Sequence, residues 1–541
     1  MGRAASHRFR VEPLESRTLF ASGGGLLGTY HSNEDFSGAT FTRQDERITF
    51  NFGGGEIAPG VGADSASVRW TGRVKPAYSE TYTFKVISDD GARLWVNGHL
   101  LFDTFGSQAG IKVNTGRVNL HANRFYDIRL EYREATGPAS IQMRWRSATQ
   151  YETIVPSTRL FPPETLNHDA LRAKLDEVMA LAAEKYKATL QDLAGNTAAY
   201  PELTDPGSGR WRVKAADDWT SGFFPGVLWQ LQRRTLDRAW RLNATAWTNG
   251  LASQVNAGDD LAFRFMPSYL NLYRAMGNRS DRLMVVAAAQ SKIDQFDPTV
   301  GMFRSVHFDP SRSGNPDANF PVLIDHTMDL ELVYWAAKSS GNVHWIDMAN
   351  SHLEKVIANF IRPDGGTIQW GYFNGDTGAF VASQTRQGYA DHTTWARGQS
   401  WLLYSLANAY AETGRPDFLA AAKKVAEYWL AHVGVDRVPK WDFDAPASAG
   451  VFKDSSAAAV AASALLKLGA GLAGTPDGIR YRAAAETTLS SLASVNYLNT
   501  GDGRGLLKHG ARWVAKGNVD DSLIYGDYYF LEAINRYNGL P

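Results

Sequence analysis

The stretch "VLIDHTMDLELVYWAA", Val322 to Ala337, sets one carboxyl group, Asp325, ahead of an apolar run. Leu330, Val333, Tyr334 and Ala337 recur at helical spacing, so one face of this segment should enter a core. An Asp in that place is either an N-cap, accepting backbone N–H groups of the first turn, or a carboxylate aimed at a ligand. The arrangement repeats along the chain. "DDWTSGFFPG" from Asp217, "GDDLAF" from Gly258, "DHTTWARGQSW" from Asp391, "KDSSAAA" from Lys453 and "VDDSLIYGDYY" from Val519 each put an Asp before a helical run. Several of them add Trp, Tyr or Phe. Capping accounts for the acids, and for Asp454 and Asp521 it is the better account. It does not account for aromatic residues and Arg397 gathering at the same starts. A shared pocket does. Aromatic walls with a few carboxylates suit a polar ring that lies on apolar faces, which is a sugar.

These starts need elements that bring them together. From about Leu166 onward the apolar period is helical, with starts near Asp169, Gly222, Asp237, Asp260, Ser280, His326, Val343, Thr394, Pro416, Ser455, Ile479 and Asp521 and almost no strand pattern. About twelve sequential helices, paired as hairpins, predict an (α/α)6 barrel whose alternate helices form an inner ring with their starts at one end. The aromatic and acidic starts are the alternate ones. Residues 24–162 have period two instead. "SVRWTGRV", "ETYTFKVIS", "ARLWVNGHLLF", "FYDIRLEYRE" and "SIQMRWRS" alternate, are rich in Val, Ile, Tyr, Phe and Trp, and are separated by Gly, Pro, Asn and Asp. That pattern predicts an all-β sandwich. The chain therefore reads as multidomain, with an all-β sandwich over 24–162 followed by an all-α (α/α)6 barrel over 163–541.

Composition narrows the function. Among 541 residues, Lys+Arg and Asp+Glu both total 56, so the formal charge is zero and no nucleic-acid partner is expected. There is no Cys, which excludes disulfides, thiolate metal sites and cysteine nucleophiles. The 16 Trp provide surfaces for stacking on sugar rings as well as core. No run approaches the ~18 apolar residues of a membrane span. Residues 1–23 are basic and then mildly apolar, and "VEPLESRTLFAS" (Val11–Ser22) resembles the "EPLExRxLL" leader of exported planctomycete-type proteins. That resemblance implies a secreted or periplasmic protein.

"ISDDGARLWVNGHLLFD" (Ile87–Asp103), with "GTYHSNEDFSG" before it and "FYDIRLEYREATGPASIQMRW" after it, resembles the β-sandwich domain first known from anthrax protective antigen. The resemblance implies an accessory module, often glycan-binding, that would hold the parent polysaccharide. Asp89 and Asp90 match the acidic pair that holds calcium in the adhesin branch of that family. "TGPAS" lacks the Asn those adhesins add, and Asp-Asp-Gly before a strand is also a good turn.

In the helical half, "GFFPGVLWQL", "DDLAF", "IDHTMDLELVYWA", "QGYADHTTWARGQSWLLY", "DSSAAAVAASALL", "KHG" and "DDSLIYGDYYFLEAINR" occur in the order found in glycoside hydrolase family 88, the unsaturated glucuronyl hydrolases. The resemblance implies removal of a Δ4,5-unsaturated uronic acid from the non-reducing end of lyase-generated oligosaccharides. The vinyl ether is hydrated, a proton going to C4 and water to C5, and the resulting hemiketal opens. Neither a cofactor nor a metal is implied for this step. Carried over residue by residue, Asp325 would be the general acid and base, and Asp260 would hold its proton by like-charge coupling. Trp395 and Trp401 match stacking tryptophans, Arg397 a polar sugar contact, and Gln387 and His509 further substrate contacts. Trp401 shares its helix with Leu402 and Leu403 and could instead be core. This chain departs from the family where Asp259, Gln369 and Arg386 replace three His residues. Arg386 suits a substrate with an additional anionic group such as sulfate, or is an exposed loop arginine. Two neighbouring enzyme readings are an unsaturated rhamnogalacturonyl hydrolase and an inverting glycosidase with paired Asp. A non-catalytic glycan-binding protein is the alternative from another class, and retention of both Asp260 and Asp325 counts against it.

Overall fold

The computed structural model describes residues 24–106, 110–162, 168–305 and 314–540; the leader-like segment 1–23 lies outside them. The chain divides into two compact units, Met1–Thr165 and Leu166–Pro541.

In the first unit twelve strands form two antiparallel sheets. They are β1 (Leu26–His31), β2 (Thr40–Asp45), β3 (Thr49–Gly53), β4 (Ala66–Val74), β5 (Glu80–Asp89), β6 (Gly91–Val96), β7 (His99–Asp103), β8 (Lys112–Leu120), β9 (Tyr126–Glu134), β10 (Ala139–Arg146), β11 (Thr153–Ile154) and β12 (Leu160–Phe161). One sheet runs β2-β1-β4-β9-β6-β7 with β12 added on β4, and the other runs β11-β10-β5-β8 with β3 added on β10. The expected alternation is what buries the core. Tyr82, Phe84 and Val86 of β5 point inward to Trp145, and Trp70, Leu130 and Leu94 do so from the facing sheet. The β6–β7 hairpin turns on Asn97 (φ 54°) and Gly98 (φ 74°), both left-handed as a two-residue type I′ turn requires. Asp90 serves its neighbourhood as an acceptor, Oδ1 from the Gly110 N–H at 2.8 Å and Oδ2 from that of Ala135 at 2.9 Å. Among the described residues no group of three or more His, Cys, Asp or Glu is arranged to hold a metal ion.

The second unit is a ring of helices. They are α1 (His168–Leu193), α2 (Phe223–Thr235), α3 (Arg238–Asn249), α4 (Leu261–Phe265), α5 (Asn271–Met276), α6 (Arg279–Ile293), α7 (Asp329–Ser340), α8 (His344–Phe360), α9 (Ala396–Thr413), α10 (Pro416–His432), α11 (Ser455–Gly471), α12 (Pro476–Leu492) and α13 (Ile524–Tyr537). A π-helical segment, Met266–Leu270, joins α4 to α5, so the two act as one helix of the ring. Alternate helices differ in burial. In α9 every residue from Ala396 to Ala409 is buried, and α11 is buried almost throughout, whereas α3 and α8 bury one stripe. The all-round-buried helices pack in sequence, α2 on the π segment, α4 on α7, α7 on α9, α9 on α11 and α11 on α13; α13 packs back on α2 and closes the inner ring. No helix is long and apolar enough to cross a membrane among the described residues.

Two expectations need correction. The connections between helices hold three small sheets: β13 (Tyr200–Thr204) with β14 (Trp211–Lys214), β15 (Phe296–Asp297) with β16 (Met302–Phe303), and β17 (Phe320–Leu323) with β18 (Trp370–Phe373) and β19 (Phe380–Gln384). Strands of two to five residues are too short to show a period in sequence. The stretch Val322–Ala337 is also not one helix. Val322 and Leu323 end β17, Ile324–Met328 form a 3-10 turn, and α7 begins only at Asp329.

Candidate active site

Asp325 sits in that 3-10 turn and makes no capping bond. The turn is pinned by Thr327, whose hydroxyl donates to the Ile324 carbonyl at 2.7 Å and meets the Ser405 hydroxyl on α9 at 2.9 Å. Asp325 keeps partial solvent access, yet its Oδ2 is buried without a hydrogen-bond partner. Burial pushes this carboxyl up to about 7, against the opposing pull of the Arg397 guanidinium. The Trp401 indole N–H also favours the ionised form, though it falls short of full hydrogen-bond geometry. Burial is the largest cause holding the proton on Asp325, and the charge of Asp325 in turn adds to the raised proton affinity of Asp260.

Asp260 precedes α4 in the left-handed region (φ 60°, ψ 29°) and does not cap the helix. That duty passes to Asp329, whose Oδ1 accepts the Ala262 N–H at 2.8 Å across to α7. Freed from capping, the Asp260 side chain stays 22 % exposed, and its proton affinity is raised by burial first and then by Asp329, Asp259 and Asp325. Arg264 fixes the loop by donating to the carbonyls of Asp259 and Asp217, each at 2.7 Å. Asp259, where the family resemblance led us to expect His, points the other way. It is buried with Lys292 (3.4 Å) and His326 (3.6 Å).

Arg397 is 1 % exposed and largely committed within the protein. Its Nη1 donates to Asp454 Oδ2 at 2.6 Å and to the Ala511 carbonyl at 2.7 Å, and its Nη2 to the Arg512 carbonyl at 2.7 Å. Asp454 does cap α11, as expected, accepting from the Ser456 and Ala457 N–H groups. Arg397 thus serves as a fixed buried cation opposite Asp325 more than as an open fork. Trp395 is the N-cap residue of α9, and its ring lies under the Arg397 guanidinium at 4.5 Å. Trp401 is fully buried among Phe263, Tyr525 and Tyr529. The family resemblance implies stacking roles for both tryptophans; both rings are buried here, because α9 is an inner helix. Asp521, expected as a cap, lies outside the first turn of α13, whose N-cap residue is Leu523.

The loop after β19 is held from within. Gln369 Oε1 accepts from the Thr385 hydroxyl (2.8 Å) and from the backbone N–H groups of Arg386 (2.7 Å) and Gln387 (3.0 Å), while its Nε2 donates to Gln387 Oε1 at 2.8 Å. Gln387 Nε2 continues to the Arg512 carbonyl. Both amides therefore help to organise the loop. Arg386 lies over the Trp370 ring at 4.4 Å, so it is a stacked cation and not an isolated one. His509, in the loop before α13, pairs through Nδ1 with Asp520 and sits edge-on to Tyr497.

Three residues of this region were not singled out from sequence. Trp219 is partly exposed and packs on Phe263 and Tyr525 at 5.4 and 5.1 Å, the place of an aromatic wall. The buried Tyr525 hydroxyl has no hydrogen-bond partner. His326 lies beside Asp260. Trp219 and Tyr525 were visible as the aromatic residues of "DDWTSGFFPG" and "VDDSLIYGDYY", and His326 follows Asp325 directly.

Residues 22–159 match the PA14 domain. The chain is 32% identical over 332 residues to an unsaturated glucuronyl hydrolase of Formosa agariphila, covering 60% of this chain and 80% of that protein. It is 30% identical over 346 residues to the unsaturated glucuronyl hydrolase of Bacillus sp. strain GL1, covering 62% and 90%. Among solved structures, an unsaturated glucuronyl hydrolase specific for heparin superposes with a TM-score of 0.63 at 30% identity, over 69% of this chain and 98% of that one. An inner helical ring with buried acids at its starts, joined to a PA14 sandwich, is thus matched along both parts of the chain. The chain belongs to the unsaturated glucuronyl hydrolase family, glycoside hydrolases that remove unsaturated uronic acid from oligosaccharides.

Proposed function

We propose that this enzyme hydrates the Δ4,5 double bond with Asp325 as both acid and base. One observation carries the reading: the Asp325 carboxyl is partly open to solvent, has a buried unpartnered oxygen, and holds its proton up to about 7. The protonated carboxyl delivers its proton to C4, leaving positive charge at C5 shared with the ring oxygen. The resulting Asp325 carboxylate takes a proton from water as the water oxygen bonds to C5. One water is consumed, and the hemiketal opens to release the sugar. The Arg397 cation favours the carboxylate that forms, and Asp260 orients the reacting water and ring.

The substrate we infer is an acidic oligosaccharide left by a polysaccharide lyase. Arg386, stacked on Trp370, supports an additional anionic group on it, and specificity for heparin in the similar solved enzyme points the same way. The PA14 sandwich supports retention of the parent polysaccharide, and Val11–Ser22 supports export. The test is loss of the ultraviolet band of the conjugated alkene on unsaturated disaccharides made by heparin, chondroitin and rhamnogalacturonan lyases. We expect loss on at least the heparin or chondroitin products. Retention of the band on every one would overturn the reading.

A further inference from the structure

His326 is buried, 3 % exposed, and stands between two acidic residues. Its Nδ1 lies 2.7 Å from the Ser305 hydroxyl and 3.6 Å from Asp259 Oδ1; its Nε2 lies 3.8 Å from Asp260 Oδ1. The Ser305 oxygen also accepts the Leu323 N–H at 3.1 Å, which ties the ring to the end of β17. Behind Asp259 stands Lys292 of α6, wholly buried, 3.4 Å from Asp259 and 3.2 Å from Asp329 of α7. The groups facing the imidazole are therefore Asp259 and Asp260 from the loop before α4, Lys292 from α6 and Asp329 from α7. His352 on α8 is driven neutral by burial and then by Lys292 and His326.

A buried carboxylate needs a partner, and here the buried Asp259 and Asp329 share one lysine while the partly exposed Asp260 stands beside them with the Arg264 cation acting on it. Asp329 is tied to Lys292 and to the α4 backbone, and Asp259 to Lys292. Arg264, whose guanidinium donates to the Asp259 and Asp217 carbonyls, draws on Asp260 electrostatically, and His326 is the side chain that stands against its carboxyl. We propose that His326 is a positioning residue for Asp260, which it orients and whose charge it balances while Asp259, Lys292 and Ser305 hold the ring in place. The imidazole expected before Asp260 is supplied here from the residue after Asp325. Its place also couples the two acids, since the 3-10 turn that carries Asp325 carries His326 as well.

This inference rests on the functional reading above. Alkene loss by the full-length wild type is measured first; an inactive wild type overturns that reading and this inference with it. Given an active wild type, His326→Gln keeps a side-chain donor and the ring's approximate reach but cannot become a cation. We expect kcat to fall about tenfold or more with KM changed less than about twofold. The acidic limb of the kcat/KM profile should move to higher pH, because Asp260 loses a group that favours its ionised form. His326→Asn should behave alike, and Ser305→Ala should shift the limb in the same direction by less. If His326→Gln does not fold, Ser305→Ala decides the matter by the same profile. A folded variant with unchanged kcat and an unmoved acidic limb would make His326 a packing residue and overturn the inference.

Discussion

Asp325, in the turn before α7, and Asp527, in the first turn of α13, are both carboxyls whose proton affinity desolvation raises, to about 7 and about 6. They differ in what surrounds them. Asp527 accepts the Leu506 and Leu507 N–H groups at 2.7 and 2.9 Å and the Tyr186 hydroxyl at 2.8 Å. Asp325 has a buried oxygen with no partner, one cation across from it and partial access to solvent. Desolvation alone thus does not mark a reactive carboxyl. A buried acid whose bonds are complete pins two segments of chain, while one whose bonds are incomplete keeps a proton it can give away.

The sharpest way to break this contrast is to replace each acid by its amide. Asp325→Asn should lower the rate of alkene loss by about 10²–10⁴-fold or more with thermal stability unchanged or raised. Asp527→Asn should do the reverse, costing about 1–3 kcal/mol of stability, read in urea, with the folded fraction still active. Equal behaviour of the two variants would dissolve the contrast. Asp260→Asn should cost kcat more than KM, since its place is beside the reacting group; a pure KM effect in steady-state kinetics would assign it to binding alone.

The pH dependence sharpens the same contrast. A carboxyl raised in the folded state binds its proton more tightly there than in the unfolded chain. Its contribution to stability is therefore full in acid and is lost as pH climbs from about 4, the unfolded value, through the folded value. For Asp325 that loss ends near 7 and for Asp527 near 6. Urea midpoints against pH should flatten from about 4 to near 7 for Asp325→Asn and only from about 4 to near 6 for Asp527→Asn, so that the interval between 6 and 7 separates the two. A smaller effect is expected at Arg386. Its replacement by Ala should change the ratio of kcat/KM on sulfated over unsulfated disaccharides by a few-fold, downward, and an unchanged ratio would place it outside the substrate's reach. The smallest effect should follow deletion of residues 1–162. Turnover of disaccharides should persist, because the second unit has its own closed inner ring; an insoluble remainder would show the boundary misplaced.

The architecture was legible because period is a property of many residues at once. Period two over 24–162 and helical period beyond it require no knowledge of partners, and the Asp at alternate starts marked the site end of the ring. What the sequence could not show was which way a side chain faces. Trp401 has the spacing of an inner-helix residue, and only the structure shows its ring packed against Phe263, Tyr525 and Tyr529. Gln369 looked like a substituted substrate contact, while its three accepted bonds come from a loop about 16 residues later. The cap of α4 was hidden for the same reason, since its acceptor, Asp329, is 67 residues away. Long-range pairing of polar atoms leaves no periodic trace.

The central claim is that Asp325 carries a proton at the pH where the enzyme works. Carbon-13 NMR of aspartate carboxyls, wild type against Asp325→Asn, isolates this one group and follows it through pH. The account predicts a resonance missing from the variant that titrates near 7. A resonance titrating in the ordinary carboxylate range, near about 4, would contradict it.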